Sequence, residues 1–243
     1  MKTVLVFFAL AVQLAASNVS GCTNRTNFLH SGSNISQACG PDNVSQTTGI
    51  STTSNTTVAA TAFSVTTGNA LAVFTDYHSA TVTVTVSDTA GNTFTAGTAC
   101  DQNGNSHGQW FWSLNVTGNA SDVVTATFSL ARSHKEITVY QLRNVTAKDF
   151  NGACATSSSS VGTATTGSFT TTVAAEMLLI GVSGALNSNS FTAGANYTLG
   201  PAVGGAASGQ TEFQKVTAIQ TGVTASMTFG SNTTYAATVL TIN

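Results

Sequence analysis

The sequence predicts an all-β fold, a two-sheet antiparallel β-sandwich of the jelly-roll or Ig-like type, built from two diverged halves. Three observations support this prediction. Val, Thr, Ile and Phe alternate with small polar residues in short runs, and clusters of Gly, Asn, Ser and Asp separate the runs. Prolines occur only at Pro41 and Pro201, so little interrupts a β ladder. A similar series of landmarks also occurs twice along the chain.

Residues 1–17 are predicted to be a secretory signal peptide. Lys2 supplies the positive charge, an apolar run follows over Val4–Leu14, and the small residues Ala15 and Ser17 fit a cleavage site. The run is shorter than the about 20 residues that span a bilayer, and no later run reaches ~18 apolar residues. We therefore expect an extracellular or cell-surface protein with no transmembrane segment.

The next segment, residues 18–57, matches neither half of the repeat and is expected to be an irregular polar lead-in. It holds Cys22 and Cys39, whereas Cys100 and Cys154 lie in the body of the chain. Three pairings are possible, and we favour Cys22 with Cys39 and Cys100 with Cys154 because each pair shares one region. No metal site is expected, since no CxxC occurs and no His lies at zinc-finger spacing from a Cys.

Residues 58–243 are predicted to form the β-sandwich region, with repeat-like halves at 58–150 and 160–243. Ser157–Gly167, SSSSVGTATTG, is interpreted as a linker or a strand-to-strand crossover between them. The predicted strands, some with their turns, are VTTGNALAVFTDYH, ATVTVTVSDTAGNTFTAG, VVTATFSLA, KEITVYQL, EMLLIGVSG, SMTFG and AATVLTI.

The two halves match segment by segment in one order. GNALAVF matches AEMLLIG, GQWFWSLNV matches QTEFQKVTA, VVTATFS matches TASMTFG, and EITVYQL matches YAATVLTI. The second of these matches aligns Phe111 with Phe213. Together with VSDTAGNTFTAG and FTAGANYTLG, these motifs make the chain from about Ile50 to Asn243 similar to a β-sandwich module of predicted secreted bacterial proteins. The resemblance implies the fold and implies no catalytic residues, because the module mostly has no assigned activity.

Charge is scarce in this chain. Only 7% of residues are charged and the formal net charge is −2, whereas a typical domain carries about 25% charged residues. No basic stripe occurs, and the aromatic residues are not interleaved with Lys or Arg. Nucleic acid and anionic membrane surfaces are therefore not expected as partners.

The stretch GQWFWSLNVTGNAS, Gly108–Ser121, is the main candidate for ligand binding. Strand alternation places Trp110 and Trp112 on an apolar face with Leu114 and Val116, and Phe111 on the face of the glycan acceptor Asn115. This favours buried tryptophans and an exposed Phe111. The match of Phe111 with Phe213 favours the opposite, because it aligns the tryptophans with polar residues; a slip of one residue would reverse every face.

In the carbohydrate-binding alternative, the aromatic residues stack on sugar rings. The candidate ligand-binding residues are Phe111, Trp110, Trp112 and Tyr77.

Four polar groups were weighed as sites of chemistry. Asp76 and His78 stand two apart in a predicted strand and could share a metal or an acid/base task, although a polar strand end is the simpler interpretation. Asp101 and His107 are assigned to a solvated loop. DTAGN, Asp88–Asn92, is typical of a hairpin turn in which Gly takes a positive φ. HKE at residues 134–136 is interpreted as a charged turn between strands.

Potential N-glycosylation acceptors are frequent, partly because Asn, Ser and Thr are abundant. In the predicted mature chain they occur at Asn18, which would be its first residue, and at Asn24, Asn34, Asn43, Asn55, Asn115, Asn119, Asn144, Asn196 and Asn232.

The function that these features favour is a secreted or cell-surface structural or adhesive β-sandwich protein without catalytic activity or cofactor. A carbohydrate-binding module is the first alternative and an extracellular hydrolase the second. The expected partners are polysaccharides or other surface proteins. No GxSxG elbow and no identifiable pair of catalytic carboxylates supports hydrolysis.

Overall fold

The computed structural model describes residues 40–79, 81–185, 190–204 and 207–243. Within these ranges the regular secondary structure is all β, arranged in antiparallel sheets. These ranges contain no helix with the length and apolarity needed to cross a bilayer. The predicted signal peptide, Cys22, Cys39 and the acceptors Asn18, Asn24 and Asn34 lie outside the described residues.

The first main sheet has six strands. They are β1 (Asp42–Ser51), β4 (Ala70–Tyr77), β6 (Thr95–Ala96), β7 (Cys100–Gln102), β8 (Ser106–Ser113) and β11 (Lys135–Arg143). Their order is β1-β11-β4-β8-β6, and β7 also pairs with β8. Every residue of β4 is buried, because this central strand is covered on both faces. That double burial explains its unbroken apolar run ALAVF.

A smaller sheet covers the outer face of the first main sheet. It consists of β2 (Asn55–Ala59), β5 (Val84–Asp88) and β10 (Val124–Arg132) in the order β2-β10-β5, and β3 (Phe63–Val65) pairs with β9 (Asn119–Asp122) nearby. These strands alternate in burial: Val84 is buried and Thr85 exposed, and Ala126 is buried and Thr127 exposed. Their inner residues pack with Leu71 of β4 in one apolar core, the first-half core.

The second main sheet also has six strands. They are β12 (Lys148–Thr165), β13 (Glu176–Gly184), β14 (Phe191–Thr192), β15 (Thr198–Leu199), β16 (Gly209–Val216) and β17 (Ser226–Ile242). Their order is β12-β17-β13-β16-β15, and β14 pairs with β17. The pairing of β12 with β17 shifts between Ser157 and Thr163. Beyond this irregularity Ala164 of β12 and Met227 of β17 pack in the second-half core with Ile180, so this end of the same sheet forms an outer layer over that core.

The two main sheets pack face to face. The core between them, the central core, takes Phe74, Trp110 and Tyr140 from the first sheet and Leu179 and Leu240 from the second. The ring of Trp110 lies 5.1 Å from that of Phe74 and 6.2 Å from that of Tyr140, centroid to centroid. This packing confirms the predicted two-sheet antiparallel sandwich, with an outer layer added on each side.

The strand order shows the predicted duplication. In the first half β11 pairs with β4 and β4 with β8; in the second half β17 pairs with β13 and β13 with β16. The long strand β17 of the second half corresponds to β10 and β11 of the first half, and the long strand β12 corresponds to β1 and β2. Val73 faces the first-half core as its counterpart Ile180 faces the second-half core.

The predicted boundaries need correction. The segment 18–57 is not irregular throughout, because β1 and the start of β2 lie in it and belong to the first half. The second half begins with β12 at Lys148 and not at residue 160. Most of the predicted linker Ser157–Gly167 is strand β12, in which Ser158, Ser159 and Ser160 are exposed and Ala164 is buried.

The predicted match of Phe111 with Phe213 is wrong by one residue. Phe111 lies opposite Val73 on β4, whereas the residue opposite Ile180, the counterpart of Val73, is Glu212. Phe111 therefore corresponds to Glu212, and Trp112 to Phe213. A slip of one residue exchanges the faces of a strand, which explains why the sequence match contradicted the alternation.

One disulfide is present in the described part of the chain. Cys100 on β7 is bonded to Cys154 on β12, with Cα atoms 5.3 Å apart. The predicted pairing of these two cysteines is therefore confirmed. The bond joins the two halves of the molecule covalently across a sequence separation of 54 residues.

Candidate functional site

The aromatic candidates for sugar stacking are used for packing. Trp110, Phe111 and Tyr77 expose 0%, 1% and 2% of their surface. Trp112 is half-buried at the edge of the central core, and the Lys148 ammonium lies 5.7 Å from its ring centroid. The prediction that Trp110 is buried is confirmed, and the prediction that Phe111 is exposed is wrong.

Phe111 is buried because β8 belongs to a sheet that is covered on both sides. Trp110 faces the central core and Phe111 the first-half core. The prediction of an exposed Phe111 placed it on the same strand face as the glycan acceptor Asn115. However, β8 ends at Ser113, and Asn115 lies beyond it with a φ of 52°. The strand alternation does not continue to Asn115.

The side chains of Asp101 and His107 are in contact. The two residues lie on the strands of a hairpin and not on a loop. They lie opposite each other on β7 and β8, and Asp101 Oδ1 is 2.7 Å from His107 Nδ1. The ring of His107 is buried and stacks on that of Tyr77 at 4.5 Å between centroids. His107 Nε2 contacts the carbonyl of Ser79. This pair stabilises the end of β8.

The DTAGN turn forms the internal hydrogen bonds that the sequence predicts, but it does not lie in a hairpin. The backbone N–H of Asn92 donates to Asp88 Oδ1 at 2.8 Å, and Gly91 has a φ of 79°. The turn does not close a hairpin, because β5 before it lies in the small sheet and β6 after it lies in the first main sheet. It carries the chain from one layer to the next.

A cluster of polar side chains, the inter-sheet acid cluster, lies at one end of the central core. Asp76 near the end of β4 is directly opposite Glu136 on β11, and His134 lies just before β11. Phe74 and Tyr140, an even number of positions away on the same strands, face the central core, so the two carboxylates face it as well. Asp76, His134 and Glu136 expose 1%, 4% and 3% of their surface.

The second half reaches this cluster through Ser208 and Gly209, at the start of β16. The Ser208 N–H donates to Glu136 Oε1 at 2.6 Å, and the Gly209 N–H donates to Glu136 Oε2 at 3.2 Å. The Ser208 hydroxyl donates to Asp76 Oδ2 at 3.1 Å. A Cβ on Gly209 would lie 2.6 Å from Asp76 Oδ2, so the close approach of this strand requires glycine.

His78 closes the cluster on the side of β13. Its ring stacks on that of His134 at 4.5 Å between centroids, and its Nε2 is 2.7 Å from the carbonyl oxygen of Gly184. Asp76 and His78 therefore lie in one cluster, which their spacing offered only as the alternative to a polar strand end.

Burial sets the ionisation of the cluster. Burial, and then the charge of Glu136, raise the pKa of Asp76 to about 7. Burial raises the pKa of Glu136 to about 7 as well, against the hydrogen bonds that Ser208 and Gly209 donate to it. Burial also lowers the pKa of His78 and of His134. Two opposed carboxyl groups are thus kept out of water in one small space.

The cluster does not have the geometry of a Ser–His–acid triad. His134 Nε2 lies 2.8 Å from Ser208 Oγ and 2.7 Å from Glu136 Oε1, so serine and acid share one ring nitrogen. In a triad the acid holds one nitrogen and the serine faces the other. Ser208 is also fully buried. The arrangement instead gathers one imidazole and two carboxylates, which are metal-binding side chains.

The sequence places Asp76 and His78 on one strand face but favours a polar strand end there, and it predicts a charged turn for HKE. The available signal was the alternation of His134 and Glu136, which share one strand face at the start of a long apolar strand. Their meeting with Asp76 depends on the pairing of β4 with β11, which no local pattern specifies.

The acceptor asparagines within the described ranges differ in exposure. Asn55, Asn115, Asn144, Asn196 and Asn232 are exposed, and Asn43 and Asn119 are half-buried. Asn119 Nδ2, the atom that would carry a glycan, donates to the Thr89 hydroxyl at 3.2 Å. The five exposed asparagines are therefore the acceptor positions that are accessible for glycosylation.

Comparisons of the chain with protein-family models, curated proteins and solved structures found no match.

Proposed function

We propose that this chain is a secreted or cell-surface structural or adhesive protein that binds its partners through two uncharged threonine faces. The observation that carries the proposal is a row of three exposed threonines on each outer layer, at equivalent positions of the two halves.

The first row lies on the small sheet. Thr127 of β10 is directly opposite Thr57 of β2 on one side and Thr85 of β5 on the other. All three side chains are exposed. Because neighbouring strands lie about 4.8 Å apart, the hydroxyl and methyl groups form a regular line about 10 Å long.

The second row repeats the first. Thr228 of β17 is directly opposite Thr163 of β12 and Thr192 of β14, and all three are exposed. The counterparts follow from the buried neighbours: Ala126 beside Thr127 corresponds to Met227 beside Thr228. Threonine is a common strand residue, but a duplicated row in a diverged repeat is more than strand propensity requires.

The two rows lie on opposite sides of the molecule. Each is on the outer surface of an outer layer, and the three apolar cores lie between them. A molecule with two similar faces on opposite sides can bridge two partners, which a structural or adhesive protein must do. The disulfide between the halves suits an oxidising extracellular environment and holds the two faces together.

Stacking of sugars on aromatic rings has no support in the described residues. Three of the four aromatic candidates are buried, and the exposed large apolar side chains are aliphatic. Polysaccharides remain proposed partners through hydroxyl contacts on the threonine faces.

Particle agglutination tests the proposal. Beads coated with cellulose, with chitin or with the protein itself are mixed with purified protein, and binding and cross-linking are measured separately. Wild-type protein should bind and cross-link one bead type. Thr85→Lys with Thr127→Lys should bind without cross-linking, because one face is blocked by charge. Adding Thr192→Lys with Thr228→Lys should abolish binding.

Lysines placed at exposed strand positions outside the rows, Thr95→Lys with Thr198→Lys, serve as the matched control and should leave agglutination unchanged. Equal behaviour of the row variants and this control would contradict the proposal. So would turnover of a polysaccharide by the wild-type protein.

A further inference from the structure

We propose that the inter-sheet acid cluster is a binding site for one divalent transition-metal ion, with Zn²⁺ the best match, held by Asp76, His134 and Glu136. The proposal is independent of the threonine faces.

The distances suit a single ion. One donor atom from each of the three side chains lies within 4.8 Å of the other two. Donors bound to one Zn²⁺ at roughly 2.0 to 2.2 Å stand no more than about 4.4 Å apart. The limit of 4.8 Å is slightly wider than this, so binding would draw the three donors closer together.

Two buried donor atoms lack a partner. Asp76 Oδ1 and His134 Nδ1 have no described partner in hydrogen-bonding geometry, although both side chains are more than nine-tenths buried; the Ser183 hydroxyl is close enough to Asp76 to lower the pKa of its carboxyl group. Buried polar side-chain atoms without a partner are uncommon, and each costs the free energy of its lost hydration. A metal ion bound at Asp76 Oδ1 would remove that cost for the carboxyl group, whereas the imidazole offers the ion one of its two nitrogens.

Charge also favours a cation at this point. Asp76 and Glu136 are directly opposed on neighbouring strands, and like charges in this position repel each other. Arg143 and Lys215 form their ion pairs with Asp42, and the basic groups beside the two carboxyl groups of the cluster are the imidazoles of His78 and His134. A divalent cation would neutralise both carboxylates at once.

The groups around the cluster hold the three ligands in place, as the hydrogen-bond partners of metal ligands do in known metal sites. Glu136 receives the backbone N–H groups of Ser208 and Gly209, which fix its carboxylate plane. The His78 ring, stacked on that of His134, limits the orientation of the imidazole. Ser208 Oγ lies 2.8 to 3.2 Å from one atom of each of the three ligands, where it would be the fourth ligand of the ion.

The donor set selects the ion. Ca²⁺ takes six to eight oxygen ligands, and the three side chains with one hydroxyl do not supply them. One imidazole nitrogen with two carboxylates suits Zn²⁺ in four-coordinate geometry. The ligands belong to the first half and their outer partners to the second, so the ion would stabilise the packing of the two main sheets.

Thermal unfolding of the disulfide-intact protein tests the site. Because the ligands are buried, the protein is refolded from denaturant either with Zn²⁺ or with EDTA. We expect one Zn²⁺ per chain by elemental analysis. At an ion concentration about 100 times the dissociation constant, the Tm should be roughly 5 to 10 °C higher than in EDTA.

The variants Asp76→Asn and Glu136→Gln should each lose the bound ion and the Zn²⁺-dependent Tm difference. The two variants test the same site independently, and each is compared with itself in Zn²⁺ and in EDTA. Asp101→Asn is the matched control, because it alters the other histidine–carboxylate pair, and it should keep both the ion and the Tm difference. Co²⁺ in place of Zn²⁺ should give the intense visible absorption of a four-coordinate site in the wild type and the control alone.

The same Tm in Zn²⁺ and EDTA for the wild type would overturn the proposal and leave a cluster held by shared protons. Retention of the ion by both cluster variants would overturn it as well.

Discussion

Trp110 and Phe111 are neighbours in the chain, yet they pack in different cores. Trp110 contacts Phe74 and Tyr140 between the main sheets, and Phe111 lies in the first-half core. At the scale of the residue, the consequence is that β8 has buried positions sensitive to truncation on both of its faces.

We predict that Trp110→Ala and Phe111→Ala each lower the free energy of unfolding by about 3 to 5 kcal/mol, because each removes a fully buried ring and leaves a cavity. Chemical denaturation measures both. Leu130→Ala is the control: Leu130 is 60% exposed, and its loss should change stability by less than about 0.5 kcal/mol. A mild effect at Phe111 would show that its face is open to solvent.

Glu212 is an acid where the first half has Phe111. Its Oε2 accepts the backbone N–H of Gly194 at 2.8 Å, and burial raises its pKa to about 7 from the usual 4.5. The folded state therefore holds this proton more tightly than the unfolded chain does. It follows that stability falls as pH rises from about 4.5 through 7, because unfolding is then favoured by release of the proton.

We predict that Glu212→Gln, which cannot ionise, gains stability relative to wild type as pH rises from 4.5 to 8. Urea denaturation at both pH values measures the difference. Asp42→Asn should show the opposite sign, and at lower pH: burial alone would raise the pKa of Asp42, but the ion pairs with Lys215 and Arg143 outweigh it and lower the pKa. The wild type therefore loses this stabilisation only as pH falls below about 4, and the Asp42→Asn difference should be nearly constant between pH 4.5 and 8. A pH-independent difference for Glu212→Gln would contradict the prediction.

At the scale of the element, the duplication gives each strand an internal counterpart. The residues two before Ala70 and two before Met177, at the start of β4 and β13, are Gly68 and Ala175. Both have a positive φ, 87° for Gly68 and 56° for Ala175. The same turn thus has glycine in the first half and alanine in the second, although a positive φ is unfavourable for alanine.

We predict that Ala175→Gly raises the free energy of unfolding, and that Gly68→Ala lowers it, each by about 1 kcal/mol. A Cβ at residue 68 would meet no atom closer than 3.9 Å, so the expected loss comes from the backbone conformation. Thermal or urea unfolding measures both changes. Equal effects of the same sign would show that the two turns are not equivalent.

At the scale of the whole molecule, the central core makes the halves dependent on each other. Leu179 and Leu240 from one half pack with Phe74 and Trp110 from the other. Each half also has its own core, so separation exposes one apolar face without removing the rest of the fold.

We predict that residues 148–243 expressed alone associate with themselves or aggregate through this face. Co-expression with residues 40–147 should give a one-to-one complex, and light scattering with size-exclusion chromatography distinguishes these states. Cutting at residue 160 is the control that should fail to fold, because it divides β12. A monomeric, cooperatively unfolding 148–243 fragment would show that the halves are independent.

Local patterns were enough for much of the fold. Alternation and turn clusters predicted an antiparallel sandwich in two halves, and the even cysteine count with shared location predicted Cys100–Cys154. The candidate site was not predicted: the sequence puts Asp76 and His78 on one strand face but favours a polar strand end, and it does not bring His134, Glu136 and Ser208 to them.

What the sequence determined by itself is the strand character of each segment and the repeat, because alternation and turn chemistry are properties of neighbouring residues. The tertiary structure alone decided which faces are buried, since both sides of β8 became interior only when an outer layer and a second sheet covered it. It also decided the acid cluster, because Asp76 and Glu136 are joined by strand register and Ser208 by sheet packing. Register and packing are contacts between distant residues, and they depend on the free energy of the whole fold.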